Sequence, residues 1–222
     1  MSNKEKTNWS YDSVSSFYQK LAHIYSLGMI KKSKEIQLRH SMKKGKSILY
    51  VGVGSGEDAV MGAENGMNVT CIDISPKMLN NVKNVFRKKH LKGKFICCDV
   101  IKYNEFNKYD YVAVNYFLNN FSPKTMEKLL AHISKLIKPD GKLLIADFMI
   151  YSKNPVVRGL QKLNFMIAVS FFSLLGVASV HRPPNYISAF RKTGMTLESM
   201  EYCRLFGIGL PKYGSIVAVR NK

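Results

Sequence analysis

The run Gly52-Val53-Gly54-Ser55-Gly56 is the first place where this sequence could do chemistry. It ends an apolar stretch and opens a helical one. Glycines there let a ligand lie against the backbone, because any side chain would hold it away. The helix that follows offers N–H groups that have no acceptor within it. Taken alone, the loop also fits a dinucleotide-binding frame, with Gly54-Ser55-Gly56-Glu57-Asp58-Ala59 read as GxGxxA. Two carboxylates narrow the choice. Asp73 ends the next apolar run, 17 residues past Gly56, where it can accept both hydroxyls of a ribose. Asp99 ends the third run, placed to accept a hydrogen bond from an adenine amino group, and Asn115 lies near the end of the fourth.

These residues need a scaffold that brings the ends of four runs to one edge. The pattern supplies it. SILYVGV (47–53) reads as a strand buried on both faces, and NVTCID (68–73), KFICCD (94–99), YDYVAVNYF (109–117) and KLLIADF (142–148) read as four further strands. Between them, GEDAVMGAENG (56–66), SPKMLNNVKNVFRKKHL (75–91) and SPKTMEKLLAHISKLI (122–137) read as helices. The last two open on Ser-Pro, with the serine as cap and the proline at the first helical position. Strands alternating with helices imply right-handed crossovers and an α/β fold, a parallel sheet with helices on both faces. Residues 9–44 read as one or two helices ahead of the sheet. After the fifth strand come an apolar stretch, a helix near Pro184–Thr193, and then TLESMEYCRLF (196–206) and GSIVAVR (214–220), a hairpin that would close the sheet antiparallel. The expected division of this single domain is 1–45, 46–150, 151–195 and 196–222.

With 222 residues, 46% apolar and 22% charged, the composition is globular and excludes wholesale disorder, collagen and a disulfide scaffold. Four cysteines without a CxxC pair fit a reduced, cytoplasmic setting. The polar opening MSNKEKTNWSYD has no apolar run behind it and does not read as a secretory signal. The net charge of +19 predicts attraction to an anion: nucleic acid, a lipid surface or a phosphorylated substrate. Part of that charge is the run from Lys77 to Lys94, seven Lys or Arg with no acid. Leu163–Val180 is the one membrane-like stretch, but a spanning helix wants about 20 apolar residues, and this one holds Asn164, Ser170 and Ser173. A buried or interfacial helix is expected there.

In combination, ILYVGVGSG (48–56), VTCIDISPKML (69–79), FICCDV (95–100), YDYVAVNYFLNNFSP (109–123) and LIKPDGKLLIADF (136–148) resemble the class I S-adenosyl-L-methionine-dependent methyltransferases. The resemblance covers residues 46–150. It implies a Rossmann-like sheet of seven strands, mostly parallel with an antiparallel C-terminal hairpin, and S-adenosyl-L-methionine as cofactor. Gly52, Gly54 and Gly56 would line its methionine and ribose portions and Asp73 would hold the ribose, with Ile74 and Met78 beside it. Asp99 and Val100 would frame the adenine, and Asn115 would lie close to the methionine end. Tyr50 departs from the pattern: the family usually has Asp or Glu there, holding the methionine amino group. A tyrosine brings no charge, and a charge-assisted bond is about twice as strong as a neutral one, so Asn115 or an N-terminal residue would have to compensate.

Methyl transfer from a sulfonium is an in-line displacement that needs alignment and dryness, and a base only where the acceptor must lose a proton. Candidate groups at the same edge are Asp147, His181 and the N-terminal tyrosines, Tyr18 among them. The opening YDSVSSFYQKLAHIYSL (11–27) resembles that of ubiquinone/menaquinone C-methyltransferase-like and phospholipid N-methyltransferase-like members. Its likeness, the apolar stretch 165–180 and the cations Lys153, Arg158, Lys162 and Arg182 point to a small lipophilic acceptor, a quinone precursor or phospholipid head group, reached at an anionic membrane surface. Two other classes remain open. One is a nucleic-acid methyltransferase or binder using the basic surface, although the fourth strand ends in Asn115-Tyr116-Phe117-Leu118 and not in an Asn/Asp-Pro-Pro-Tyr/Phe tetrad. The other is a protein that binds the cofactor without transferring its methyl group, given Tyr50.

Overall fold

The computed structural model describes residues 28–40, 43–150, 152, 154–174, 183–205 and 208–221. Helix α1 (Met29–His40) precedes β1 (Ser47–Val51), α2 (Glu57–Glu64), β2 (Asn68–Asp73), α3 (Pro76–Lys88), β3 (Lys94–Cys97), β4 (Tyr109–Ala113), α4 (Pro123–Leu136) and β5 (Ile137–Phe148). Helices α5 (Pro155–Leu174) and α6 (Tyr186–Lys192) and strands β6 (Met195–Leu205) and β7 (Ile208–Arg220) follow among the described residues. The strands form one sheet in the order β3-β2-β1-β4-β5-β7-β6. β1 to β5 are parallel, and β7 enters antiparallel between β5 and β6. This is the expected seven-stranded Rossmann-like sheet with its antiparallel C-terminal pair.

The alternation of side chains along the buried strands divides the core into two layers. Ile48 and Tyr50 face α2 and α3, where Ala59, Val60, Met78, Leu79, Val82 and Phe86 meet them. Leu49 and Val51 face the other way, toward Leu129, Leu130 and Ile133 of α4 and Tyr186 and Phe190 of α6. Both Ser-Pro helix starts form as read: the Ser75 Oγ accepts the Met78 N–H at 3.2 Å and the Ser122 Oγ accepts that of Thr125 at 3.4 Å. All seven cations from Lys77 to Lys94 are exposed.

Several boundaries differ from the sequence reading, each for a local reason. β1 stops at Val51 because Gly52 takes φ +68, and β4 stops at Ala113 shortly before Tyr116 at φ +51. Between β3 and β4 there is no α-helix, only the 3₁₀ turn Val100–Lys102. β5 begins five residues early: it pairs with β4 at Tyr109–Ile137 and again at Tyr111–Lys142, so Lys138–Gly141 bulges instead of making a free turn. Gly141 is required there, since a Cβ would lie 2.9 Å from the Tyr109 and Asp110 carbonyl oxygens. β7 likewise begins at Ile208, ahead of the expected Gly214.

Asp110 ties the amino edge of the sheet. Its Oδ2 accepts the Ser47 N–H at 2.9 Å and the Ser47 hydroxyl at 2.7 Å, with the Lys138 Nζ 3.1 Å away. Burial opposes the charge, but the Ser47 bonds and the Lys138 ammonium outweigh it and hold the carboxyl well below the usual range. A depressed carboxyl contributes stability above the ordinary Asp pKa and loses it as pH falls. Asp110→Asn is expected to cost about 1–2 kcal/mol at pH 7, with the difference shrinking below pH 4, as chemical denaturation at both pH values will read.

Candidate cofactor and acceptor site

The parallel strands reverse their direction of crossover between β1 and β4, since β2 and β3 lie on one side of β1 and β4 and β5 on the other. At such a switch point the loops leaving the strands part and open a crevice at their carboxyl ends. The glycine loop leaves β1 there. Its three glycines have positive φ, +68 at Gly52, +52 at Gly54 and +70 at Gly56, but different neighbours. A Cβ on Gly52 would lie 2.4 Å from the Phe117 ring, and one on Gly56 2.5 Å from the Val82 side chain. Those two let a ring and a helix pack closely. At Gly54 a Cβ would meet nothing within 4 Å, so this is the glycine whose bare backbone faces open space.

Asp73 stands beside the loop at the end of β2. Its carboxylate accepts the Ser75 N–H at 2.9 Å and further backbone N–H groups from Gly54, Val53 and Ile74. Burial raises its pKa, and those bonds only partly offset the rise. Asp99 caps the 3₁₀ turn through an Oδ1 that accepts the Ile101 N–H at 3.2 Å, and it is half-buried. Ile74 is exposed, as is Ile101, so apolar surface flanks the carboxyl ends of β2 and β3. Val100 and Met78 turn their side chains into opposite core layers, leaving Val100 only its backbone to offer a purine.

Asn115 sits two residues beyond β4 and is buried. Its Oδ1 accepts the Ala146 N–H and the Gln37 amide, both at 2.8 Å, and its Nδ2 donates to the Gln37 Oε1 at 3.1 Å and the Asp58 Oδ2 at 2.8 Å. Tyr50 lies in the layer under α2, where a Cβ on Gly62 would come within 2.6 Å of its hydroxyl. Burial, then the Asp58 charge, pushes its hydroxyl well up, so it is neutral. Gln37, Lys34 and Asp58 had no signal in the sequence beyond residue type. Asp58 is the second residue of α2, and only the fold brings α1 across it.

A second group of residues gathers at the end of β5. Asp147 is fully buried. Its Oδ1 accepts the Phe148 N–H at 2.7 Å, its Oδ2 accepts the Tyr186 hydroxyl, and the Asn119 amide adds a side-chain bond. Burial outweighs these bonds and pushes its pKa up to about 7. Phe148 and Phe165 meet edge to face with centroids 5.4 Å apart, and Phe148 also packs on Tyr213 at 5.1 Å and Tyr116 at 6.1 Å. The end of β5 thus carries an aromatic wall around Phe148 and, on the preceding residue, a buried carboxyl whose pKa lies near neutrality. Sequence reasoning found Asp147 but missed Tyr186, Asn119 and the wall. Tyr18 and His181 lie outside the described residues, as do residues 175–180 of the apolar stretch.

Strand order, the open glycine at the switch point and the Asp73 and Asp99 carboxylates suit a nucleoside that carries a polar tail. Residues 48–141 match the family model described as a methyltransferase domain. Over 106 residues the chain is 36% identical to phosphoethanolamine N-methyltransferase 2 of Caenorhabditis elegans, covering 46% of this chain and 24% of that protein. Over 104 residues it is 28% identical to the ubiquinone biosynthesis O-methyltransferase of Coxiella burnetii, covering 46% and 44%. Among solved structures, the 1,6-didemethyltoxoflavin-N1-methyltransferase of Burkholderia thailandensis, crystallised with 1,6-didemethyltoxoflavin and S-adenosylhomocysteine, superimposes with a TM-score of 0.70 at 17% identity, covering 99% of this chain and 90% of that one. Residues 48–141 thus match a methyltransferase domain, and the described sheet has the fold of solved methyltransferase structures. The chain spans less than half the length of these two curated relatives.

Proposed function

We propose that this protein transfers the S-adenosylmethionine methyl group to a small lipophilic acceptor presented at an anionic membrane surface. One observation carries the choice of acceptor. Helix α5 leaves β5 beside Asp147 and buries Phe165 and Val169, yet it exposes Val156, Leu160, Leu163 and Ile167 on its outer side. Those four are 70, 46, 57 and 55% exposed, with spacings of four, three and four residues that put them on one stripe. Arg158 and Lys162 on the same helix are exposed and supply charge for anionic lipid. No helix among the described residues is long and apolar enough to cross a membrane, which fits a helix that lies on a surface.

Under this reading the cofactor supplies an electrophilic methyl group on sulfur, and the chain supplies position, dryness and proton control. Gly54 gives the nucleoside access to backbone, Asp73 takes the ribose hydroxyls, and Asp99 with the Val100 backbone and Ile74 frames the base. Gly52 and Gly56 shape the loop, and Asn115 lies toward the amino-acid end. Asp147, with Tyr186 on its Oδ2, accepts a proton from an acceptor hydroxyl or acidic carbon, and the full burial of its carboxyl keeps bulk water from it. Tyr18 and His181 are further candidates for the acceptor side.

The basic run does not favour nucleic acid as acceptor. Lys83 to Lys94 follow α3 away from the glycine loop to the start of β3, at the opposite edge of the sheet.

Isothermal titration with S-adenosylmethionine and S-adenosylhomocysteine tests the cofactor half; a folded protein that binds neither sinks it. Flotation with phosphatidylglycerol-containing vesicles tests the acceptor half. Leu163→Glu combined with Ile167→Glu is expected to cut vesicle binding at least tenfold while leaving nucleoside binding unchanged. Undiminished flotation would overturn the membrane reading, as would a stripe that proves to bury itself in a dimer.

A further inference from the structure

S-adenosylmethionine carries a positive α-ammonium at its amino-acid end, and an ammonium taken out of water needs an anion or a set of acceptors beside it. Tyr50 is neutral and packed beneath α2, so it offers no charge. Asp58 does. It is 6% exposed and stands two residues past Gly56 in the first turn of α2. Its Oδ2 accepts the Asn115 amide at 2.8 Å, while its Oδ1 is buried and accepts no hydrogen bond. The cation facing that oxygen is Lys34 of α1, its Nζ 3.5 Å away and its side chain 10% exposed. At 3.5 Å the pair is longer than a good N–H···O bond, which falls at about 2.7–3.2 Å. Burying a carboxylate with one oxygen unbonded is costly, and a buried ion pair of imperfect geometry does not repay the cost. The arrangement is a carboxylate held ready on one side and loosely neutralised on the other.

Resting on the cofactor reading above, we infer that Asp58 is the anion for the cofactor's α-ammonium, in place of the acid that Tyr50 replaces, and that Lys34 keeps this position until the cofactor arrives. The two cations are the same chemistry, a primary ammonium with three N–H donors, and both cannot hold Oδ1. Cofactor binding therefore releases Lys34. Helix α1 also rests on this floor through Gln37 on Asn115 and through the Ser33 hydroxyl, 2.8 Å from that of Tyr116. Exchange at Asp58 consequently reaches the element that covers the site.

The test compares two nucleosides on the full chain by isothermal titration: S-adenosylhomocysteine, which has the α-ammonium, and 5′-methylthioadenosine, which shares the adenosine and sulfur but lacks the amino-acid end. Asp58→Asn should weaken S-adenosylhomocysteine at least tenfold and leave methylthioadenosine within twofold. Lys34→Met, which removes the competing cation, should tighten S-adenosylhomocysteine several-fold and again leave methylthioadenosine unchanged. Methylthioadenosine binding doubles as the check on folding, and Lys34→Met carries the test alone if Asp58→Asn does not fold. Equal losses for both nucleosides in Asp58→Asn, no loss for either, or a Lys34→Met protein that binds S-adenosylhomocysteine no better overturns the role of Asp58 and leaves the cofactor reading standing. A wild-type protein that binds neither nucleoside removes the cofactor reading itself.

Discussion

Replacing Asp147 with Asn should make the protein more stable at pH 8 than the wild type, by roughly 2–4 kcal/mol. Burial holds the native carboxyl up at about 7, against 3.8 for an ordinary Asp side chain. Between those two values the native state keeps a proton that the unfolded chain has released. The stability that the raised pKa contributes is therefore fully present below about pH 4 and is lost as pH rises toward 7. The slope reaches about 1.4 kcal/mol per pH unit for one proton, and the span from 3.8 to about 7 sets the upper end of the range. Asparagine is neutral throughout and keeps the shape and an acceptor for the Phe148 N–H. Urea denaturation of both proteins at pH 4, 6 and 8 reads the effect as a difference, which cancels other titrating groups. A difference that is flat with pH, or an Asn variant that is less stable at pH 8, contradicts the picture of a protonated buried carboxyl. If Asp147 also takes the acceptor's proton, the same variant loses turnover while its nucleoside affinity is unchanged.

Asp73→Ala should weaken S-adenosylhomocysteine by about 3 kcal/mol, roughly a hundredfold. A hydrogen bond to a charged group contributes about 1.5–3 kcal/mol, and Asp73 would make two to the ribose diol. The structure adds a second cost, because the same carboxylate gathers backbone N–H groups from Ser75, Gly54, Val53 and Ile74. Its removal frees the loop that must hold its shape with three residues at positive φ. Asp73→Asn separates the two effects: it retains an acceptor for one loop N–H but offers the diol only one acceptor oxygen. The expected order of affinity is wild type, then Asn, then Ala, by titration calorimetry. Equal affinity across the three proteins would show that the ribose is held elsewhere.

What the sequence made legible was whatever a local pattern encodes. The buried strands appear as unbroken apolar runs, β2 with both ends correct, and the Ser-Pro starts of α3 and α4 announce themselves by cap chemistry. The glycine loop and Asp73 are legible because function demands particular residue types at particular strand ends. The other half of the site was hidden. Asn115 stood out by its place after the fourth strand, but Lys34, Gln37 and Asp58 share no spacing with it, and only the packing of α1 across the carboxyl edge joins them. Val100 and Met78 illustrate the complementary difficulty: a residue beside a binding motif can point either way, and both point inward. The early start of β5 was hidden for another reason. Pro139-Asp140-Gly141 is turn chemistry, and here pairing on either side of the bulge absorbs it into the strand.

Asn115 shows how the backbone of one strand sets the polarity of a cluster several residues away. The Ala146 N–H, fixed in β5, can be met only by an oxygen, so the side-chain amide has a single allowed orientation and its NH₂ end must look toward Asp58. An aspartate at 115 would satisfy Ala146 equally well but would confront Asp58 with a second negative oxygen about 3 Å away, and one of the two acids would have to stay protonated. The choice of amide over acid at this position is thus dictated by what lies beneath the crevice floor, whatever molecule is eventually methylated above it.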